Sequence, residues 1–218
     1  MRDAVIVEAV RTPVGRRNGS YKDVHAVDIS AHILTSLAER TGIDPAVVDD
    51  VVWGCVSQVG EQTMNVGRNA VLAAGWPESV PGTTVDRQCG SSQQAVHFAA
   101  AGVISGQYDV AVAGGVELMT RVPMGSSVGV DVGFPMGPKF FARYEGQQIN
   151  QGLGAEMIAE RWGLSRQQVD EFSLASHEKA AKAIDVGAGA YQDAIVPGTG
   201  VEVDEGVRRG GTLEKMGE

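Results

Sequence analysis

The chain has 218 residues, with 18 Lys and Arg against 27 Asp and Glu, a formal charge of −9. That sign argues against nucleic acid, whose phosphates need a basic face, and against a polybasic membrane anchor. With 43% hydrophobic and 21% charged residues the composition is globular, and 29 glycines beside 6% aromatics point to packing through small residues.

In chain order, residues 4–10 form an apolar run with β-branched residues, closed by Arg11-Thr12-Pro13, and read as a buried strand. Asp28 can cap a helix whose apolar face is Ile29, Ile33, Leu34 and Leu37 and which ends near Gly42. Residues 50–56 form a second apolar strand. Residues 65–74 read as a helix with Val66, Ala70, Val71 and Ala74 on one side, stopped by Gly75. Residues 83–85 are a third strand, 91–104 a helix, and 109–113 a fourth strand followed by Gly114-Gly115. Alternating β and α segments predict an α/β fold, with a mostly parallel sheet and helices on its faces. The helix over 91–104 is apolar all round from Ala95 to Ile104 except at His97, which predicts a helix buried between layers. After Glu117 the pattern changes. Residues 121–152 scatter Gly, Pro and Met without a period. Polar amphipathic helices follow near 156–162 and 166–184, and 194–196 reads as a short strand. The sequence places a boundary near residue 118, giving regions 1–118 and 119–218.

Cys55 and Cys89 are too few for a disulfide framework or an all-cysteine zinc site, so a reducing, cytoplasmic setting is the simplest reading. Glu8 interrupts the apolar start, leaving no signal-peptide core. No stretch approaches the ~20 apolar residues of a membrane span.

The segment that carries chemistry is Thr84-Val85-Asp86-Arg87-Gln88-Cys89-Gly90-Ser91-Ser92. A strand runs directly into an apolar helix with a cysteine at the junction. First-turn N–H groups lack partners inside the helix, and the macrodipole adds roughly half a positive charge there. Both favour a thiolate, and the same N–H groups can hold an oxyanion when sulfur attacks a carbonyl. Read from position alone, Cys89 is as readily one more small core residue. Cys55, inside an apolar strand, fits that inert role better.

Four ordered segments carry a resemblance. Arg87-Gln88-Cys89-Gly90-Ser91-Ser92-Gln93-Gln94-Ala95 resembles the acyl-accepting cysteine motif of the thiolases. Arg11-Thr12-Pro13-Val14-Gly15 resembles their N-terminal signature, and Ala113-Gly114-Gly115-Val116-Glu117-Leu118-Met119 their Ala-Gly-Gly-x-Glu-x-Met strand end. Asp204-Glu205-Gly206-Val207-Arg208 with Thr212-Leu213-Glu214 resembles their Asp-Glu-x-x-Arg…Thr-Leu-Glu segment. The wording around Cys89 and Asn150-Gln151-Gly152 is similar to actinobacterial thiolases of acyl-CoA and steroid side-chain breakdown.

The resemblance implies a thiolase-like fold: an N-terminal α/β domain over 1–118 and part of an inserted CoA-binding loop domain over 119–218. It implies that Cys89 takes an acyl group from a 3-ketoacyl-CoA as a thioester, with its own N–H as oxyanion donor, and that coenzyme A then removes it. Run backwards, this is a Claisen condensation. Coenzyme A is then a substrate, with no tightly bound cofactor and no metal. Arg208 is implied at the adenine end of CoA, and Gln151 and Lys215 in its neighbourhood. Asn150-Gln151 stands where many short-chain thiolases carry His-Met, which argues against an acetoacetyl-CoA specialist. Partners implied are acyl-CoA and further copies of the chain, as a homodimer or homotetramer.

The family's Asn-Glu-Ala-Phe, Gly-His-Pro and Cys-x-Gly-Gly-Gly segments do not occur in these residues. They supply a water-holding Asn, the His that activates the cysteine and an acid–base Cys. The expectation is therefore the first half of a thiolase, which alone turns nothing over and leaves one side of the apolar helix facing water. The alternative is a non-catalytic thiolase-like chain that binds CoA or a partner. A ketoacyl synthase is disfavoured by Cys89-Gly90, since its cysteine is usually followed by Ser. His97 lies eight residues beyond Cys89, about 12 Å of helical rise, too far for a Cys–His dyad, and reads as a packed or interface histidine. Glu61, Glu78 and Asp86 read as solvated charges or caps.

Overall fold

The computed structural model describes residues 2–129, 131, 133–147, 149–187 and 189–217. The chain forms two compact units, Met1–Gly129 with Asp193–Glu205, and Val130–Gln192 with Gly206–Glu218. The first unit thus runs past the residue 118 boundary and takes back a later segment.

In the first unit, α1 (Ala26–Thr41), β1 (Asp50–Gly54), α2 (Val66–Ala73), β2 (Gly82–Val85), α3 (Ser91–Ser105) and β3 (Ala111–Gly115) follow in order. The strands form one parallel sheet in the order β2-β1-β3, with Trp53 opposite Thr84 on one side and Gly114 on the other. Strand alternation divides the two faces. Val51, Trp53, Cys55 and Val112 join Leu34 of α1 and Val66, Ala70 and Val71 of α2 in the main core. The Trp53 indole N–H donates to Ser30 Oγ of α1 at 3.2 Å. The opposite face, Gly54 and Gly115, carries α3.

Glycine is required at these contacts by closeness. A Cβ on Gly54 would collide with the backbone of Ser91 and Ser92, and one on Gly115 with Ser92 Oγ and the Gly54 carbonyl. The first turn of α3 therefore rests directly on the ends of β1 and β3. On the other face a Cβ on Gly114 would enter the Trp53 ring.

The sequence motifs around Arg11 and Asp204 meet within this unit. Asp204 accepts from Arg11 Nη1 and Nη2 at 2.7 and 3.1 Å and from the Val14 N–H at 2.7 Å. Its side chain is 5% exposed. Glu205 accepts from Ser20 Oγ at 2.6 Å and from the Arg16 N–H at 3.1 Å, and these bonds hold its carboxyl below the usual range. Helix α1 helps to hold the returning segment: Arg40 donates to the carbonyls of Asp193 and Ile195, and His32 Nε2 lies 2.7 Å from Pro197 O.

Several expectations are corrected. Residues 4–10 form no strand. Val5, Ile6 and Val7 are 76–81% exposed, because no neighbouring strand among the described residues offers them a ladder. Residues 194–196 contribute only a single bridge, Ile195 to Arg11. Helix α1 is capped by His25, whose Nδ1 accepts from the Val27 N–H, and not by Asp28, which lies in its first turn. Helix α3 is not buried between two layers here but faces water on one side, as expected of the first half alone. Ala95, Ala99 and Gly102 face the sheet, while Val96, His97, Phe98 and Ile104 are exposed. The sheet covers one side, and nothing among the described residues covers the other.

In the second unit, α4 (Pro138–Arg143), α5 (Gln151–Trp162), α6 (Arg166–Val186), α7 (Ala190–Asp193, ending at the first residue of the returning segment) and α8 (Leu213–Gly217) follow in order. Ser165 and Gln168 form a reciprocal capping box that starts α6, and Gly187 ends it in a left-handed conformation. No described helix is long and apolar enough to cross a membrane.

Gly115→Ala is expected to destabilise the protein by about 1–3 kcal/mol, since the Gly54 carbonyl, held in the strand, cannot retreat from the added methyl. A lower urea midpoint at unchanged slope is the result that checks it.

Candidate functional site

Cys89 stands at the C-terminal edge of the parallel sheet, where open α/β sheets place their sites. β2 ends at Val85, a tight turn follows, and α3 begins at Ser91. The turn is bonded to itself. Gln88 N–H donates to Asp86 Oδ1 at 2.6 Å, and Gly90 N–H to Arg87 O at 3.0 Å. Ser91 Oγ accepts from Arg87 N–H at 3.0 Å and donates to Gln88 O at 2.7 Å. Gln88 has φ +46°, a left-handed conformation that costs a non-glycine residue about 1 kcal/mol. These bonds hold the strained residue, and the sulfur-bearing residue follows it.

The cysteine is exposed. Gly90, the N-cap, offers no side-chain acceptor to the helix. Among the described residues no acceptor is found for the N–H groups of Cys89, Ser92 and Gln93. Unbonded donors at a helix N-terminus suit a thiolate or a developing oxyanion. Cys55 differs in every respect. It is 1% exposed, and burial, with the carboxylates of Glu117 and Asp86 adding to it, pushes its thiol up to about 12.

Reading the sequence did not single out the polar brace behind this edge. Glu117 accepts from the Val56 N–H at 2.8 Å and from Gln62 Nε2 at 2.9 Å. Gln62 is fully buried; its Nε2 also donates to Ser57 O, and its Oε1 accepts from the Leu118 N–H at 2.8 Å. The brace ties the segment after β1 to the segment after β3. A carboxylate just past an apolar strand was the available signal for Glu117; Gln62 had none. Glu61 is not a solvated charge: it pairs with Arg121 (Nε to Oε2, 2.6 Å), which holds its carboxyl below the usual range. Asp86 caps the turn before Cys89, as expected of a cap. An open cleft of about 770 Å³, lined in part by Arg16, Tyr21, Ser30, Trp53 and Glu117, lies in the same unit, and Cys89 is not among its lining residues.

The residues implied for CoA lie in the second unit. Arg208 is exposed and lines a groove along α6, with its N–H donating to His177 Nδ1 at 3.3 Å. Gln151 opens α5 behind Asn150, whose side chain caps the helix. Lys215 lies in α8. Both are exposed, and neither lines the groove.

A cysteine on a strand-to-helix turn over a parallel sheet defines an α/β protein with an exposed thiol at the sheet edge. The family described as "Thiolase, N-terminal domain" matches residues 4–218, and the chain belongs to the thiolase family. It is 46% identical to the steroid 3-ketoacyl-CoA thiolase FadA6 of Mycobacterium tuberculosis, over 99% of this chain and 55% of that protein. It is 41% identical to a 3-ketoacyl-CoA thiolase of Aliivibrio fischeri and 44% to one of Erwinia tasmaniensis, each over 99% of this chain and 57% of the relative. The chain spans about half the length of these relatives.

Two outcomes are expected. Iodoacetamide at neutral pH labels Cys89 while the protein is folded and Cys55 only on unfolding; peptide mapping that finds Cys55 first refutes the difference. Because the Cys55 thiol ionises near its ordinary value when unfolded and near 12 when folded, its contribution to stability is complete below about pH 9 and lost as pH rises toward 12. Stability between pH 8 and 11, measured by urea denaturation, therefore falls off less steeply in Cys55→Ala, by at most about 1.4 kcal/mol per pH unit.

Proposed function

We propose that this chain is the acyl-accepting part of a thiolase, in which Cys89 takes the acyl group of a 3-ketoacyl-CoA. The observation that supports it most is the exposed cysteine at the unbonded N-terminus of α3, on a self-bonded turn above Gly54 and Gly115. The Cys89 thiolate attacks C3 of the substrate, and the Cys89 N–H receives the developing oxyanion. The C2–C3 bond breaks, the acetyl-CoA carbanion takes up a proton and leaves, and an acyl thioester remains on sulfur. The thiolate of a second coenzyme A attacks that thioester and frees Cys89. Thioester exchanges for thioester, so little free energy is lost. The His that activates the sulfur and the acid–base Cys belong to the family's other segments.

The second region, 119–218, is read as the first part of the CoA-binding loop domain, with Arg208, Gln151 and Lys215 toward CoA. Asn150-Gln151 supports an acyl group longer than that of acetoacetyl-CoA, and the mycobacterial relative is named for steroid substrates. Coenzyme A serves as substrate, and the setting proposed is a cytoplasmic homo-oligomer. The exposed flank of α3 at Val96, Phe98 and Ile104 supports a covering partner.

The test is acyl transfer to sulfur. In an enzyme completed with the family's other segments, incubation with a 3-ketoacyl-CoA puts the acyl mass on the Cys89 peptide and releases acetyl-CoA. Cys89→Ser is slower by more than about a thousandfold, in line with loss of a covalent nucleophile. CoA binding with no adduct on Cys89 favours the non-catalytic, CoA-binding alternative.

A further inference from the structure

Glu205 closes over the turn at residues 16–20. Its carboxylate accepts from the Arg16 N–H at 3.1 Å, the Ser20 N–H at 3.2 Å and the Ser20 hydroxyl at 2.6 Å. Inside the turn the Gly19 N–H donates to Arg16 O at 2.9 Å, and the Asn18 N–H donates to Thr120 Oγ1 at 3.0 Å. Position 19 has no room for a side chain, since a Cβ there would collide with Glu205 Oε2, Arg16 Cγ and the Arg16 carbonyl. Asn18 has φ +54°, a conformation asparagine tolerates better than most side chains. It is exposed, and its carboxamide makes no hydrogen bond among the described residues. An unbonded carboxamide carbon thus stands next to a backbone nitrogen whose residue has no Cβ to block approach.

We propose that Asn18-Gly19 is a deamidation site, kept unreacted by the Glu205 clasp. The Gly19 nitrogen gives its proton to hydroxide and attacks Asn18 Cγ. The Cγ–Nδ2 bond breaks, and the departing nitrogen takes a proton from water and leaves as ammonia, which restores the hydroxide. Water then opens the five-membered succinimide at either carbonyl, to aspartate or to isoaspartate. Water is the only co-reactant, and nothing is oxidised or reduced. The attack needs a free Gly19 nitrogen and a rotation between Asn18 and Gly19. In the folded turn that N–H is spent on Arg16 O, and one carboxylate pins the backbone on both sides. Reaction therefore waits on local opening of the clasp. Either product keeps the turn from closing again as before. Aspartate adds a negative charge to a turn already held by Glu205, and isoaspartate lengthens the backbone by a methylene between the bonds to Thr120 and Arg16. The step is one-way, so a chain that has opened here carries a permanent mark.

The test incubates the full chain, folded and unfolded in urea, at one mildly alkaline pH. Peptide mapping follows conversion of the residue 18 amide to acid, and isoaspartate methyltransferase labelling reads the isomer. The folded chain is expected to convert at least about tenfold more slowly, since hydrogen bonds to a charged carboxylate must open first. Glu205→Ala raises the rate in the folded chain, and Ser20→Ala, which removes one of the Glu205 bonds and disturbs the fold less, raises it by a smaller factor. Circular dichroism confirms that each variant is folded. Asn18→Gln abolishes the signal. Equal rates in folded and unfolded parent chain overturn the protection, and a parent-like rate in folded Ser20→Ala overturns the role given to Glu205. An unfolded chain that gains no acid at residue 18 overturns the site itself.

Discussion

The close approach of α3 to the sheet is the constraint on which the candidate site depends. A parallel strand and a helix normally stand a side chain apart. Here Gly54 and Gly115 remove that spacing, and the backbone of Ser91 and Ser92 settles onto the strand ends. The turn from β2 into α3 must then be short, which forces Gln88 into a left-handed conformation and presents Cys89 outward. Closeness, strain and exposure are one geometric solution. The brace of Glu117 and Gln62 holds the same edge from behind, and burial makes its hydrogen bonds costly to lose.

A second dependence is long-range. Arg11 and Asp204 are separated by 193 residues and meet as a bidentate pair, with the Val14 N–H as a third donor. A carboxylate that is 5% exposed is stable only when its charge is matched this fully. The pair closes the first unit on its returning segment, and Glu205 repeats the arrangement with softer partners, the Ser20 hydroxyl and the backbone of Arg16 and Ser20. Two of the four signature segments thus fold as one polar clasp.

In the second unit the electrostatics are local. Asp185, near the end of α6, pairs with Arg209 through two bonds, at 2.7 and 2.9 Å, within the same unit.

The sequence determined the elements that depend on neighbours along the chain. The periodicity of Ile29, Ile33 and Leu34 and the stops at Gly42 and Gly75 lie where their local patterns place them, while the strands expected at 50–56 and 109–113 form as Asp50–Gly54 and Ala111–Gly115, shifted by two residues at their ends. It also determined that Cys89 lies on a strand-to-helix junction, because a strand signal and a helix signal abut there. Tertiary structure decided the rest. Residues 4–10 have strand composition but no strand, since a strand exists only with a partner. The apolar helix α3 is half covered, since burial belongs to what packs against a helix and not to its composition. His25, not Asp28, caps α1, since a cap is defined by which acceptor reaches the free N–H. Gln62 and Glu117 carry no periodic signal. Their roles arise from hydrogen bonds and charges brought together across the chain, and such encounters are settled only when it folds.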